Sequence, residues 1–336
     1  MFILKHWYSL EKTWLSLLLL PLSYAFQWVV SKRRRQQIKH QYKSQHPVIV
    51  VGNITLGGTG KTPVVEVICR HLHKKGYMPA IISRGVGAKC HHYPLLLNEN
   101  TSPLTCGDEP YMLYQQLGGH IPVIIDPKRT RAIKYIESNL SKVNIIISDD
   151  GLQHYHMARD IEIIVVDGNR GFGNGLCLPA GPLREPITRL NQVDMIIVNG
   201  VSNQTFKRPN YRINLTPKCL VNLKTQQEQP VDYLINCNLP HIHGVAGIGN
   251  PNRFFSALSE IGYQVTTHPF KDHHNYQLSD FNFNHANMPI IMTYKDAVKC
   301  QNFSQENWWY LKVSADMEHG FFNGLNQQLD SLIKSG

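Results

Sequence analysis

The stretch VGNITLGGTGKTP, Val51 to Pro63, decides how the rest of the chain is read. The run PVIVVGNI that carries into it is short, continuously apolar and β-branched, as expected of a strand buried on both faces. Thr62 to Lys75 then reads as a helix, with Pro63 in its first turn where a missing N–H costs nothing. Between a buried strand and a helix, successive backbone N–H groups and the helix N-terminus can surround phosphate oxygens, with glycine wherever a side chain would block approach. Gly57, Gly58 and Gly60 meet that need, with Thr59 among them. Against the pattern G-x-x-x-x-G-K-[ST], Gly60, Lys61 and Thr62 fill the last three fixed positions, but Thr55 stands at the first. The motif predicts that Lys61 reaches the β- and γ-phosphates of ATP and that Thr62 offers its hydroxyl to Mg2+. The rival is a glycine-rich turn with an incidental lysine.

Working outward, VNIIISDDGLQH supplies the metal-side carboxylates: an apolar strand ending in Asp149 and Asp150, one of which holds Mg2+ directly or through water. Aspartate pairs are also turn formers, and which of the two faces the metal stays open. PAIISRG, HIPVIID, IEIIVVDG and VDMIIVNG read as further buried strands, with helices at Glu109 to Leu117 and Arg129 to Leu140. The pattern predicts an α/β fold: a P-loop NTPase-type, mostly parallel sheet with helices on both faces over residues 45–202. Functional residues should collect at the carboxyl ends of its strands. Residues 203–239 read as a linker with short β-prone runs such as CLVNL. Residues 240–336 form a smaller second α/β domain closing over the first, with a helix at Asn252 to Ile261, the strand WWYLKV and a terminal helix.

The 336-residue chain is 42% hydrophobic and 17% charged, a globular composition without room for long disorder. Its net charge of +10 implies an acidic partner: nucleic acid, anionic lipid or a phosphorylated substrate. The densest basic cluster, Ser31 to His40, follows an apolar segment, which favours a membrane surface, and no aromatic-interleaved basic face suggests nucleic acid. Trp14 to Val30 lacks any charged residue and would reach about 25 Å as a helix, enough to span the bilayer or only to dip into it. Residues 1–40 are therefore expected to be a membrane anchor with a basic flank. A buried soluble helix is one rival; a cleaved signal peptide is another, opposed by the arginine cluster. Seven scattered cysteines without a C-x-x-C pair read as reduced intracellular thiols. No spacing among His91/His92, His154/His156 or His273/His274 suits a transition metal.

Together GNITLGGTGKTP, SRG (Ser83 to Gly85), GDEP (Gly107 to Pro110), DDGLQH (Asp149 to His154), PAGPLREP (Pro179 to Pro186) and KDHHNY (Lys271 to Tyr276) resemble the tetraacyldisaccharide 4'-kinase family. The resemblance covers essentially the whole chain, and Thr55 is the residue expected there in that family. It implies ATP-dependent phosphorylation of the 4'-hydroxyl of a tetraacyl glucosamine disaccharide 1-phosphate at the cytoplasmic face of the inner membrane, with ATP and Mg2+ as cofactors and no obligate protein partner. It also implies that Asp108 is the catalytic carboxylate, assisted by a histidine of KDHH, His273 in preference to His274. From the sequence alone Asp108 and Glu109, at a helix start, suit capping equally well. A carboxylate beside an imidazole orients the ring and stabilises its charged form. Further candidates are Glu185 for the Mg2+ environment, Arg184 and Arg129 for phosphate, Gln153 and His154 beside substrate or metal, and Ser83 and Arg84 bordering the substrate cleft. Two other readings compete: a P-loop NTPase switch, which leaves the apolar N-terminus unexplained, and a membrane-tethered nucleotide-binding scaffold, which leaves GDEP and DHH unexplained.

Overall fold

A computed structural model describes residues 2–9, 11–202, 204–284 and 287–335. In chain order the strands are β1 (Val48–Gly52), β2 (Pro79–Ser83), β3 (Leu95–Leu96), β4 (Val123–Ile125), β5 (Ile145–Asp149), β6 (Ile161–Asp167), β7 (Met195–Asn199), β8 (Asn210–Asn222), β9 (Glu228–Gln229), β10 (His241–Ala246), β11 (Gln264–Pro269), β12 (Ile290–Thr293) and β13 (Trp308–Met317). The helices are α1 (Phe2–Trp7), α2 (Trp14–Leu18), α3 (Leu20–Ile38), α4 (Lys61–Lys74), α5 (Pro103–Cys106), α6 (Asp108–Gln116), α7 (Arg129–Asn139), α8 (Tyr233–Asn236), α9 (Pro251–Ile261), α10 (Tyr294–Cys300) and α11 (His319–Ser335).

Among the described residues all strands join one sheet, in the order β11-β10-β12-β13-β8-β7-β6-β1-β5-β2-β4-β3, with β9 beside β8. From β8 to β4 every neighbouring pair is parallel. The buried β-branched runs explain this: strands apolar on both faces need a helical layer on each side, which crossover connections supply. One face of this part packs Ile49, Val51, Ile147, Ile163 and Ile197 against α4, and the other packs Val48, Val50, Ile82, Ile146 and Ile164 against α7 and the loops. A second part, β11-β10-β12-β13, is also parallel, with smaller cores around Ile242 and Ile291 on one face and Val245 and Trp308 on the other.

Three features depart from the sequence reading. The 203–239 stretch contains β8, whose first residues pair in parallel with β7 and whose remainder pairs antiparallel with β13, so this stretch is the seam of the sheet and not a loose linker. Pro217, which cannot donate to a ladder, sits where the β8/β13 register shifts at Lys312/Val313. Secondly, 240–336 is not one packing unit: Phe321, Leu325 and Leu329 of α11 are buried in the core of the first part. The sequence pattern could not reveal this because an amphipathic helix does not name the face it covers. Thirdly, the apolar run from Trp14 to Val30 breaks at Leu19 into α2 and α3, and α3 carries Lys32 to Arg35 within it. No helix of the described residues is long and apolar enough to cross a membrane.

Because Leu325 is fully buried between α4 and the sheet, Leu325→Ala should cost about 2–5 kcal/mol in urea unfolding. A loss under about 1 kcal/mol would mean that α11 is not part of that core.

Candidate active site

The glycine turn starts where β1 ends, at the carboxyl edge of the sheet. Its opening residues are tied by backbone hydrogen bonds to the 182–184 segment. Thr55 forms a bridge with Leu183, Leu56 N–H donates to Pro182 O at 2.9 Å, and Arg184 N–H donates to Ile54 O at 2.6 Å. Thr55 is not among the residues of positive φ, so its backbone conformation does not call for glycine. Beyond it the backbone changes: Gly57 has a φ of +101° and Gly60 one of +89°. At Gly60 a Cβ would also meet Asn199 Nδ2 at 2.3 Å. Asn199, the last residue of β7, donates to Thr59 O at 3.0 Å and so clamps the turn from the side. Lys61 and Thr62 then open α4, with the free N–H groups of its first turn beside them. From the second part of the molecule Gly249 comes so close that a Cβ there would lie 2.6 Å from Gly58 N.

Asp149 ends β5, Asp150 follows in the turn, and the two have different surroundings. Asp150, at a φ of +47°, faces Lys61 Nζ at 3.5 Å and Arg184 Nη1 at 3.3 Å. Burial works against its charge, but Lys61 and Arg184 prevail and hold its carboxyl down at about 2. Asp149 is fully buried; its Oδ2 accepts from Ser83 Oγ at 3.1 Å, while its Oδ1 is buried with no partner among the described residues. Burial, with Glu109 and Asp150 close by, pushes this carboxyl up to about 7. A buried carboxylate oxygen lacking a partner is costly unless a cation or donor sits beside it.

Across the cleft Gly107 caps α6, with a φ of +90°, so Asp108 is the first helical residue and its side chain is free to point away. Its Oδ2 lies 3.3 Å from His273 Nδ1, on the loop after β11. His274, the alternative, instead meets Asp280 at 3.0 Å. Burial opposes ionisation of Asp108, but the His273 hydrogen bond, Lys299 and Lys295 together lower its carboxyl below the ordinary value.

The remaining candidates divide. Arg184 reaches Asp150 and Gln153 Oε1, and Gln153 Nε2 donates to Asn53 O at 3.1 Å, directly behind the glycine turn. Arg129 is buried and donates to Asp126 O and Asp149 O, bracing the end of β5 from behind, while Arg84 stands exposed at the end of β2. Burial, with Arg129 and Arg84 nearby, holds the His154 imidazole down at about 3, so it is neutral. Glu109 meets Lys295 at 3.1 Å. Glu185 is buried, and its oxygens accept from Gln153 Nε2 and the Tyr155 hydroxyl, with Arg189 at 3.6 Å. Its buried basic neighbour Arg189 is invisible in the spacing of LREP. The sequence reading missed Asn199, Lys295 and Lys299. A polar residue ending an apolar strand marked the first, and two lysines one helical turn apart after a strand end marked the others.

A family model described as tetraacyldisaccharide-1-P 4'-kinase (LpxK) matches residues 15–331. The chain is similar to the tetraacyldisaccharide 4'-kinase of Francisella philomiragia subsp. philomiragia, with 46% identity over 318 residues, 92% of this chain and 98% of that one. It is also similar to that of Francisella tularensis subsp. novicida, with 47% identity over 320 residues, 93% of this chain and 98% of the other. Among solved structures, LpxK from Aquifex aeolicus in complex with ATP superposes with a TM-score of 0.77 at 27% identity, covering 94% of this chain and 99% of that one.

The Lys61–Asp150 pair gives a titration that can be checked. With its folded value depressed to about 2, Asp150 contributes stability above its unfolded value, and that contribution is lost as pH falls toward 2. Lys61→Met should bring the carboxyl's midpoint up into the window between about pH 3 and 6, read by carboxyl 13C shifts. An unchanged Asp150 signal in that window would break the assignment of Lys61 as its main counter-charge.

Proposed function

The chain belongs to the tetraacyldisaccharide-1-P 4'-kinase family, and from that premise we propose how its residues divide the ATP-dependent phosphorylation of a lipid A disaccharide precursor. The backbone of Gly57 to Gly60 and the N-terminus of α4 receive the ATP phosphates, supported by the positive φ angles of Gly57 and Gly60 and by the ATP complex of the Aquifex relative. Lys61 lies against the β- and γ-phosphates and neutralises charge on the phosphoryl group as it transfers. A magnesium ion fits the donor set: the unpartnered Oδ1 of Asp149, Asp150 and the Thr62 hydroxyl are hard oxygens, and few protein ligands are needed when phosphates supply the rest. When bound, it would draw negative charge from the phosphate oxygens. Asp149 is the carboxylate more in need of a cation, since Asp150 already has Lys61 and Arg184.

The observation that carries the reading is the contact of Asp108 with His273 across the two parts of the molecule. An NTPase switch has no use for a carboxylate–imidazole pair joining the two parts of the molecule; a kinase needs it to align a hydroxyl and accept its proton. The 4'-oxygen of the lipid attacks the γ-phosphorus, its proton passes to Asp108, and the bond to the bridging oxygen breaks to leave ADP. Ser83, Arg84 and the neutral His154 border the acceptor side, where an acidic headgroup meets basic charge.

We further propose that α2 and α3 lie on the cytoplasmic face of the inner membrane. Trp14, Leu18 and Trp28 are 67%, 66% and 64% exposed, with the exposed Lys32, Arg33 and Arg35 on the same helical segment to meet anionic headgroups.

Mass spectrometry of a tetraacyl disaccharide 1-phosphate incubated with protein and Mg-ATP should show one added phosphate at the 4'-position. Asp108→Asn and His273→Ala should each cost most of what the double variant costs in single-turnover transfer, because they act as a unit; additive losses would separate their roles. Trp14→Glu with Trp28→Glu should move the protein from sedimented anionic vesicles into the supernatant while ATP binding persists. Retained vesicle binding would place the membrane contact elsewhere.

A further inference from the structure

The helix α10 presents two lysines to the start of α6, and they treat the Asp108–His273 pair differently. Lys299 Nζ stands 3.5 Å from Asp108 Oδ2 and 3.5 Å from Asp296 Oδ1, and donates to His274 O at 3.0 Å. Lys295 Nζ lies 3.0 Å from Asp272 Oδ1, 3.1 Å from Glu109 Oε1 and 3.2 Å from His273 Nε2. Both lysines are held in place by the helix that carries them. Thr293 caps α10 by accepting from Asp296 N, and Asp296 in turn accepts from Gly247 N at 2.9 Å.

We propose that Lys295 is a positioning residue: by donating to Nε2 it fixes the His273 ring as the Nδ1–H tautomer, so that its single N–H always points at Asp108. The two neighbours leave the ring no alternative. An ammonium only donates, so the nitrogen it touches must be a bare acceptor. An ionised carboxylate only accepts, so the nitrogen facing Asp108 must carry hydrogen. Asp108 alone would permit either the neutral ring or the imidazolium; Lys295 is what removes the second, because a proton on Nε2 would face the ammonium. The lysine is held charged: burial works against it, but Glu109 and Asp272 together raise it above its ordinary value. Among the described residues no acceptor lies within hydrogen-bond distance of Nε2, the Asp272 Oδ1 that holds the lysine being 3.9 Å away. Resting on the reading of Asp108 as the base, the consequence is a division of labour. His273 orients Asp108 and leaves one of its oxygens for the 4'-hydroxyl, and it does not itself take the proton.

The ring nitrogens can be read directly in protein labelled with 15N-histidine, at a pH above the titration of a free imidazole, with the His273 signal identified by its loss in His273→Gln. In the wild-type protein two-bond 15N–1H correlations should show Nδ1 protonated and Nε2 bare. An Nε2–H pattern there overturns the proposal without any variant. In Lys295→Met the Nε2–H form should become populated, phosphoryl transfer should fall by about 100-fold in kcat as the Asp108 geometry loosens, and KM for ATP should change by less than about 3-fold. Lys295→Arg, which keeps a donor-only cation, should restore the wild-type ring pattern and part of the rate. A Lys295→Met protein that loses rate but keeps the Nδ1–H ring would make Lys295 a cross-link only, and the proposal fails. A changed ring with an unchanged rate would uphold Lys295 as the residue that sets the tautomer and would instead sink the reading of Asp108 and His273 as the catalytic pair.

Discussion

The arrangement depends on the pairing of β1 between β5 and β6. Its register sets Val51 opposite Asp149 on one side and Gly52 opposite Ile164 on the other, so the glycine turn leaves the sheet beside the aspartate pair. A strand that is fully buried on both faces cannot slip by one residue without exchanging its two apolar faces, and here both faces are filled by separate cores. Gly52 tightens the constraint: a Cβ there would come within 2.6 Å of Leu152 Cβ, just after Asp150. The close approach of β1 to the turn after β5 brings Lys61 within reach of Asp150.

What the sequence made legible follows from where local rules dominate. The strand–glycine–helix passage, the strand ending in two aspartates and the helix at 129 were readable because hydrophobic run length and turn chemistry act within a few residues. The resemblance of spaced motifs named Asp108 and preferred His273 to His274 without a physical reason, since adjacent residues share every sequence signal; in the structure His273 meets Asp108 and His274 meets Asp280. The surroundings of Glu185 were hidden for a related reason: its partners Tyr155 and Arg189 come from a loop and from the turn that follows, and nothing in LREP indicates a buried arginine. Lys295 and Lys299 went unread because what they touch, the start of α6 and the loop after β11, lies far away in the sequence. Long-range register, as in the seam formed by β8 and β13, is a property of two distant segments and is absent from either alone.

Charge inside this molecule works mainly as geometry. Arg189 donates to both oxygens of Glu162, Arg159 joins the same carboxylate at 3.0 Å, and the Tyr155 ring lies within 6 Å of the guanidinium groups of Arg34, Arg159 and Arg189. A buried ion pair roughly breaks even against apolar residues of similar volume, whereas removing one partner costs about 3–5 kcal/mol. Such a cluster therefore adds little to net stability while forbidding alternatives, and through Gln153 it fixes the backbone of Asn53 behind the glycine turn. The same logic separates the pairs at the cleft. Lys295 with Glu109 links α10 to α6 across the two parts of the molecule, and its value lies in where it holds the imidazole.

The burial of α11 in the first part of the molecule bears on the order in which the chain can fold. Synthesis proceeds from the N-terminus and domains generally fold as units while they emerge. Here the surface of α4 that carries His71 waits for Phe322 and Asn326, which the ribosome adds only after all of β8 to β13. Until then a strip of apolar side chains around Ile213 and Met195 stays uncovered. The half that carries the glycine turn is thus finished last, and a nascent chain that stalls before residue 319 would present a sticky, incomplete core to the quality-control machinery instead of a folded first domain.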